Sequence, residues 1–507
     1  MTPSDWRARL TGVDWWAPLC AAVAVVVYAT HGLGGPLTRD LGVYAYAGQQ
    51  VADGVAPYLG ILNRCGPLAH LIPGAGVAAA RLVGGDDVVG VRVLFLLLAA
   101  ASVAATYLLG RDLFRTRLAG LAAAAALLCF EGFIRLAAGG PREKSAMVLF
   151  LVVALLAVVH RRWTAAGFFV ALGALTWQPV VPAALAGAVA AALVGLSSGR
   201  LRALAGIAVG GLVPAALTVG AYAAMGELQV FLDDFLLINA RYTTQRGFLA
   251  NPGASWRRLV EGYGASLTVL VVGVVALLVL TAVALGRRAS RRDPGTAGLV
   301  AAGVALVVAT LWTLRAYNNW PDAFLFLPLA ALGIGGLAAE LRRRLPVRAA
   351  VVVTVAWALV ATSLAIGYSL TTRNDHLSRQ RASVAAALAV VPDARMLSIE
   401  APEALVLAGR RNPSRIQLFG AGLLRYLDDT WPGGAAGYGR WVTDESRPQL
   451  IAMGRQRGLW LRPQLRNSYA PVGRGPTWVW YLRSDVPEDT RRELHRALRA
   501  AHRGVEG

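Results

Sequence analysis

The first long polar stretch of the chain, TRDLGVYAYAGQQVADGVAPYLGILNRCGPL at residues 38–68, sets an acidic side chain, Asp40, directly after the first hydrophobic run. A carboxylate in a partly dehydrated groove at a membrane surface has its pKa raised, and as a general base it takes a proton from an acceptor hydroxyl as that hydroxyl attacks an electrophile. Tyr44, Tyr46, Gln49 and Gln50 follow it with hydrogen-bonding groups, and Tyr58 stands after Pro57 in a turn. A plainer reading fits the same residues. Leu41, Tyr44, Ala45, Gly48 and Val51 have helical spacing, so Asp40 is also suited to be the N-cap of that helix, a preference worth about 1 kcal/mol. Interfacial tyrosines are common in any membrane protein.

Such a group needs a scaffold that holds it at a bilayer. The chain has 507 residues, is 56% hydrophobic and has a mean hydropathy of +0.52. Its apolar runs are about 17 to 25 residues long, enough to cross roughly 30 Å of hydrocarbon. They are too uniformly apolar for barrel strands, so the spans are helices. The net charge of +21 would raise nucleic-acid binding in a soluble protein. Here the arginines cluster between runs instead: Arg7 and Arg9; Arg111, Arg115 and Arg117; Arg161 and Arg162; Arg200 and Arg202; Arg287, Arg288, Arg291 and Arg292; Arg342, Arg343, Arg344 and Arg348. Short basic loops mark the cytoplasmic face and attract anionic lipid, so the partner is the bilayer and not nucleic acid.

Placing every basic cluster inside gives about eleven transmembrane helices, with cores at 15–33, 88–110, 118–134, 145–160, 164–180, 182–196, 203–225, 264–285, 296–315, 321–339 and 349–370. The N-terminus is then cytoplasmic, and the first run is a retained anchor because it lacks a small-residue cleavage site. Residues 68–83, with Pro73 and several glycines, read as an interfacial or re-entrant helix on the outer face; the alternative is a twelfth span, which would invert every later loop. The short stretch 164–196, with Pro179 and Pro182 at its turn, points to a recess. Residues 226–263 are too polar to span. The expected organisation is an all-α polytopic membrane domain over 1–370 and an extracytoplasmic α/β domain over 371–507. In the latter, helices are expected at 378–391, 455–466 and 487–502, and strands at 395–399, 415–419 and 477–482.

Further polar groups gather on the same outer face. Gln178 and Trp177 precede Pro179, Arg241 and Tyr242 lie in the second large loop, and Arg315, Tyr317, Asn318, Asn319, Trp320 and Asp322 form an RAYNNWPD loop. Planar amides beside aromatic rings suit a sugar pocket, although aromatic belts put the same residues at bilayer rims. Glu131 and Arg135 have the spacing of an ion pair on one helix face. Cys20 and Cys129 fall in apolar runs and only Cys65 in a loop, so there is no disulfide framework or zinc spacing. No cofactor is required by the sequence, and a divalent cation bridging a phosphate stays open.

An Asp after span one, Tyr four and six residues on, an Ala-x-x-x-x-x-Asp-Gly segment, Pro-Tyr, and Gly-Pro-Leu entering an outer helix resemble the first loop of the GT-C-type, polyprenyl-phosphate-sugar-dependent glycosyltransferases, the group of protein O-mannosyltransferases and lipid A aminoarabinose transferases. The span ending in GRDLFRTRLAG, the PREKSAMVLF segment and LTWQP are similar to later blocks of bacterial dolichyl-phosphate-mannose-type mannosyltransferases; the likeness is strongest over residues 35–185. The resemblance implies that Asp40 matches the catalytic aspartate, which activates an acceptor while the sugar leaves a polyprenyl phosphate with inversion. Many relatives carry Lys before the Gly-Pro, where Cys65 stands here, so Arg64 is the candidate to take over phosphate binding; its alternative is an interfacial anchor. Lys144, the sole lysine of the chain, lies with Arg142 and Glu143 at the outer end of a span and is the second phosphate candidate, against a solvated helix start.

The expected function is an integral membrane glycosyltransferase, a mannosyltransferase by resemblance, that moves a mannose-like hexose or a pentose from a polyprenyl-phosphate donor to a glycan, lipid or protein acceptor outside the cytoplasm. Asp40 is the base, Arg64, Lys144 and Arg142 meet the donor phosphate, and Tyr44, Tyr58, Gln178, Arg241, Tyr242 and Asn319 line the substrate. The competing readings are a transporter or lipid flippase, which would show internal repeats and ionisable groups near the midplane, and a non-catalytic relative, to which Cys65 alone points.

Overall fold

The computed structural model describes residues 14–196, 198–244, 246–286, 294–454 and 459–503. The basic clusters at Arg7 and Arg9 and at Arg287, Arg288, Arg291 and Arg292 lie outside them. Each of the eleven expected span cores falls on a helix: Trp16–His31, Asp87–Phe114, the pair Arg117–Leu128 and Glu131–Gly139, then Glu143–Val159, Trp163–Ala174, Val180–Gly195, Arg200–Ala224, Ser266–Gly286, Pro294–Arg315, Leu327–Arg344 and Val347–Thr372. Five are long and apolar enough to cross a membrane unaided, and the pair around residue 129, bent by 68°, would make a sixth. This is a helical membrane protein; helix length by itself does not fix the number of spans at eleven.

Burial separates the centre of the bundle from its rim. The Asp87–Phe114 span has 56% of its apolar window inside the protein, whereas the Arg200–Ala224 span has 22%. The rim helices expose Leu212, Leu217, Val275 and Val279, side chains that lipid tails cover as well as protein does. Between the first two spans the chain stays at one end of the bundle. Arg39–Ala52 forms a helix and Leu68–Leu82 a second, packed on the first and on Asp87–Phe114. With 15 residues, the Leu68–Leu82 helix is about 22 Å long and too short to span unaided.

Beyond Thr372 the chain forms a helix, His376–Val390, and a four-stranded sheet of β1 (Met396–Ile399), β2 (Leu450–Gly454), β3 (Tyr469–Arg474) and β4 (Trp478–Arg483), in the order β1-β2-β4-β3. β1 and β2 run parallel and the other pairs antiparallel. Trp478 and Trp480 are fully buried from β4, and the Trp480 indole donates to Ser383 Oγ at 3.1 Å on the His376–Val390 helix. The final helix is Glu488–Arg503.

Two expectations for this region are corrected. Residues 415–419 are not a strand. Their backbone groups serve a loop contact and a chain reversal instead: Leu62 N donates to Arg415 O at 2.7 Å and Glu400 N to Gln417 O at 2.7 Å. Of the helix expected over 455–466, residues 455–458 lie outside the described set, and the described remainder is not one helix but a short turn, Leu459–Leu461, followed by Arg462–Leu465 with Pro463 in its first turn.

This domain grips the segment that follows the first helix. Gln380 both donates to Leu37 O at 2.8 Å and accepts from Leu37 N at 2.7 Å, and Asn412 N donates to Tyr46 Oη at 2.8 Å. On the other side, the 63–68 loop is pinned to the proline-bounded recess. Leu68 N donates to Leu175 O at 2.9 Å, and a Cβ on Gly66 would lie 2.1 Å from that same oxygen. Gly66→Ala should therefore destabilise the protein by about 1–3 kcal/mol through overpacking. Thermal unfolding in detergent measures this, and an unchanged midpoint would show that the loop is free to shift.

Candidate active site

Asp40 sits in the first turn of the Arg39–Ala52 helix, and the cap of that helix is Thr38, whose Oγ1 accepts from Leu41 N at 3.5 Å. The carboxylate is thus not consumed in capping. Its side chain keeps 45% of its surface open, beneath a shell of charged neighbours. Asp40 Oδ1 accepts from Arg39 Nε at 3.1 Å and Nη2 at 2.7 Å, and Oδ2 accepts from Arg142 Nη1 at 3.0 Å. Gly42, two residues on, lets the Pro402–Ala408 helix of the C-terminal domain come close, since a Cβ there would meet Glu403 N at 2.7 Å.

The expected rise of the Asp40 pKa is corrected. Burial pushes it up, but the guanidinium groups of Arg142 and Arg39 outweigh burial and hold the carboxyl well below the usual carboxylate range. Asp40 is an anion clamped between two cations.

The clamp is the middle of a longer chain of alternating charge. Arg39 Nη1 meets Glu400 Oε2 at 2.5 Å, Arg142 Nε meets Glu143 Oε2 at 3.2 Å, and Lys144 Nζ meets Glu143 Oε1 at 3.4 Å and Asp322 Oδ1 at 2.8 Å. Glu143, Lys144 and Asp322 are all nearly inaccessible. Asp322 is held in turn by Asn318 N at 2.7 Å and by a capping box with Asn319 at the head of the Trp320–Leu325 turn. Two aromatic faces back the cations: the Tyr44 ring centroid lies 5.9 Å from Arg142 and the Trp177 centroid 4.7 Å from Lys144.

Of the residues singled out from the sequence, the fold therefore brings together Asp40, Arg142, Lys144 and Tyr44. The others are engaged elsewhere. Arg64 Nη1 donates to Thr243 Oγ1 and to Ala421 O, both at 3.2 Å, so its guanidinium bridges to the C-terminal domain. Its carbonyl accepts from Gln178 Nε2 at 2.9 Å and Asn239 Nδ2 at 2.7 Å, which gives Gln178 a loop to hold. Tyr58 is fully buried among His70, Tyr222 and Phe231 and donates to Cys65 O at 2.8 Å. Tyr242 packs edge-on against Tyr426 of the C-terminal domain, Arg241 is exposed, and Asn319 caps its turn. Glu131 and Arg135 do not pair: Ser266 N donates to Glu131 and Arg135 donates to Tyr368 Oη at 2.9 Å.

Cys65 lies against Tyr44 Oη at 3.2 Å, and burial pushes its thiol up to about 11, so it is a neutral group beside the charged chain. Arg39 and Glu400 escaped the sequence reading. Arg39 was legible as a cation next to Asp40, whereas nothing around Glu400, at the end of β1, marks it in one dimension. Among the described residues, no three His, Cys, Asp or Glu side chains converge as a metal site. Two open cavities, of about 600 and 700 Å³, lie at the far end of the Glu143–Val159 helix around Arg111, His160, Arg161 and Arg202, away from Asp40.

No protein-family model matches the chain, and no curated protein matches it in sequence. Solved structures do match. ArnT from Cupriavidus metallidurans is 13% identical in its apo state, with a TM-score of 0.62, 93% of this chain covered and 98% of ArnT. The same protein bound to undecaprenyl phosphate is 14% identical, with a TM-score of 0.62 and coverage of 94% and 99%. The oligosaccharyltransferase AglB from Archaeoglobus fulgidus, in complex with an inhibitory peptide and a dolichol-phosphate, is 13% identical, with a TM-score of 0.52 and coverage of 94% and 75%. At such identities the likeness establishes the fold. The chain shares the fold of ArnT and AglB, a helical membrane domain followed by a small domain containing a sheet.

Lys144 bridges two buried carboxylates, Glu143 and Asp322, and Glu143 also faces Arg142. Lys144→Met should destabilise the protein by about 3–5 kcal/mol, because Asp322 is left buried without its ion-pair partner. Adding Asp322→Asn should restore part of that loss. Thermal unfolding of the two variants in detergent checks the order, and a Lys144→Met protein as stable as the wild type would show that the buried pair carries no such coupling.

Proposed function

We propose that this protein is a polyprenyl-phosphate-dependent membrane glycosyltransferase that moves a sugar, a mannose-like hexose or a pentose, onto an acceptor outside the cytoplasm. The observation that carries the reading is an open carboxylate held anionic between two guanidinium groups, with a lysine beyond the next carboxylate, Glu143. The GT-C fold supports it, since neighbours of that fold are bound to undecaprenyl phosphate and to a dolichol-phosphate. The orientation follows from the basic loops: the Asp40 end and the C-terminal domain face outward and the N-terminus inward.

In this reaction an acceptor hydroxyl attacks the anomeric carbon of the donor while the bond from that carbon to the phosphate oxygen breaks. The phosphate leaves with the electron pair, Asp40 takes the hydroxyl proton, and the anomeric configuration inverts. Arg142 and Lys144 receive the donor phosphate, whose negative charge displaces their present carboxylate partners, and Tyr44 lines the same recess. Holding the departing phosphate contributes a few kcal/mol of barrier lowering per contact. Arg64, Gln178, Tyr58, Tyr242 and Asn319 act on the loops around the site, by their contacts, and Arg241 stands exposed to meet substrate. When Arg142 turns to the phosphate, Asp40 loses part of what depresses its pKa and becomes a stronger base with the donor in place. The sequence sets no metal at the phosphate, and no step requires one.

Two measurements test this. Purified protein in liposomes, offered a panel of labelled polyprenyl-phosphate sugars and a cell-envelope acceptor extract, should release polyprenyl phosphate from one of them, and Asp40→Asn should abolish that release without unfolding; wild-type turnover by the variant would sink the reading. The second is the pH profile. A base with a depressed pKa stays deprotonated until the pH falls to it, so kcat/KM, which reports the free enzyme, should stay flat down to about pH 4 and below. In Arg142→Gln the acid limb should move up into the ordinary carboxylate range, and a limb left in place would separate the limb from this pair.

A further inference from the structure

The geometry points to Glu400 as a positioning residue for Asp40, supplied by the C-terminal domain, so that the active centre is complete only with that domain docked. The inference rests on the function proposed above and extends it.

Glu400 sits at the end of β1 and carries a side chain only 1% exposed. Its Oε1 accepts from Phe419 N at 2.6 Å and Gly420 N at 2.8 Å, which ties the carboxyl to its own domain. That leaves Oε2, and Oε2 reaches out of the domain to Arg39 Nη1 at 2.5 Å. Arg39 is a rigid planar fork. One of its edges is taken by Glu400, and its Nε and Nη2 are thereby turned onto Asp40 Oδ1. Fixing one edge of a plane fixes the direction of the other.

The backbone of Glu400 shows how firmly it is placed. Its φ is +57°, in the left-handed region that side chains other than glycine rarely occupy, and it is held there by the bond from its N–H to Gln417 O at 2.7 Å. A sheet end, two backbone donors and a constrained backbone thus deliver one oxygen to one guanidinium. Without Glu400, Arg39 is free to turn toward the donor phosphate or to solvent, and Asp40 Oδ1 loses the partner that sets its aim at the acceptor hydroxyl. The effect belongs to turnover and not to donor binding, which Arg142 and Lys144 carry.

The test is a cycle of Glu400→Gln, Arg39→Gln and the double variant in full-length protein in liposomes, with the polyprenyl-phosphate sugar that supports turnover in the panel. Glutamine at 400 keeps an oxygen for Phe419 and Gly420 and loses only the ion pair, and Arg39→Gln breaks the same pair from the membrane domain should the first variant fold poorly. Each single variant should lower kcat by roughly 100-fold, the cost of a small misplacement near the chemistry. The donor KM and the affinity for undecaprenyl phosphate alone should stay within about twofold, and the double variant should be no slower than the slower single one. Wild-type kcat in Glu400→Gln, losses that multiply in the double variant, or a raised KM at unchanged kcat would each overturn the inference. Asp40→Asn separates the two levels: if it turns over normally, the base reading fails and this one with it, whereas an inactive Asp40→Asn beside an unaffected Glu400→Gln overturns the positioning role alone.

Discussion

Seven side chains of alternating sign, Glu400, Arg39, Asp40, Arg142, Glu143, Lys144 and Asp322, form one electrostatic chain across one end of the bundle. Glu400, Glu143, Lys144 and Asp322 have almost no access to water, and such charges persist only when paired, so each constrains where its partner can stand. The elements that carry them are widely separated in sequence: the first outer helix, the start of the Glu143–Val159 helix, the turn before Leu327–Arg344 and the end of β1. Packing of the apolar helices brings these ends together, and the ion chain fixes their relative positions. The rest of the outer architecture, including the pinned 63–68 loop and the grip of the C-terminal domain on Leu37 and Tyr46, keeps that alignment from slipping.

The same arrangement explains how a carboxylate can be both strongly ionised and useful. A site built only to raise the pKa of Asp40 would bury it among apolar groups. Here it is surrounded by cations that suit a phosphate equally well, and the resting protein pairs those arginines and the lysine with its own acids, although Arg142 Nε and Glu143 Oε2 make no hydrogen bond. In the proposed reaction the donor exchanges with those acids, and the basicity of Asp40 becomes linked to donor occupancy.

Much of this was legible in one dimension. Uniform apolar runs located the helices because a backbone in lipid has no other way to satisfy itself, and Asp40, Arg142 and Lys144 stood out as charges at the ends of those runs. The sign of the Asp40 shift was not legible, because Arg142 lies 102 residues away and only folding makes it a neighbour. Glu400 is 361 residues from Arg39 and looked like any acid after a strand. In the small domain, β2 is buried at every position and so lacks the alternation that marks a strand, while β3 contains Pro471 and a bulge near Gly473. Residues 415–419 do alternate, but their backbone groups are spent on Leu62 and Glu400. Tyr58 and Gln178, chosen as pocket residues from their polarity, turned out to be occupied by backbone carbonyls.

The long interval between Arg39 and Glu400 has a bearing on biogenesis. Synthesis delivers the first outer helix early, while β1 leaves the ribosome only after the last long apolar helix, Val347–Thr372, has been made. Six members of the ion chain, from Arg39 to Asp322, are thus made before that helix ends, and Glu400 alone arrives with the last domain to close the chain at Arg39.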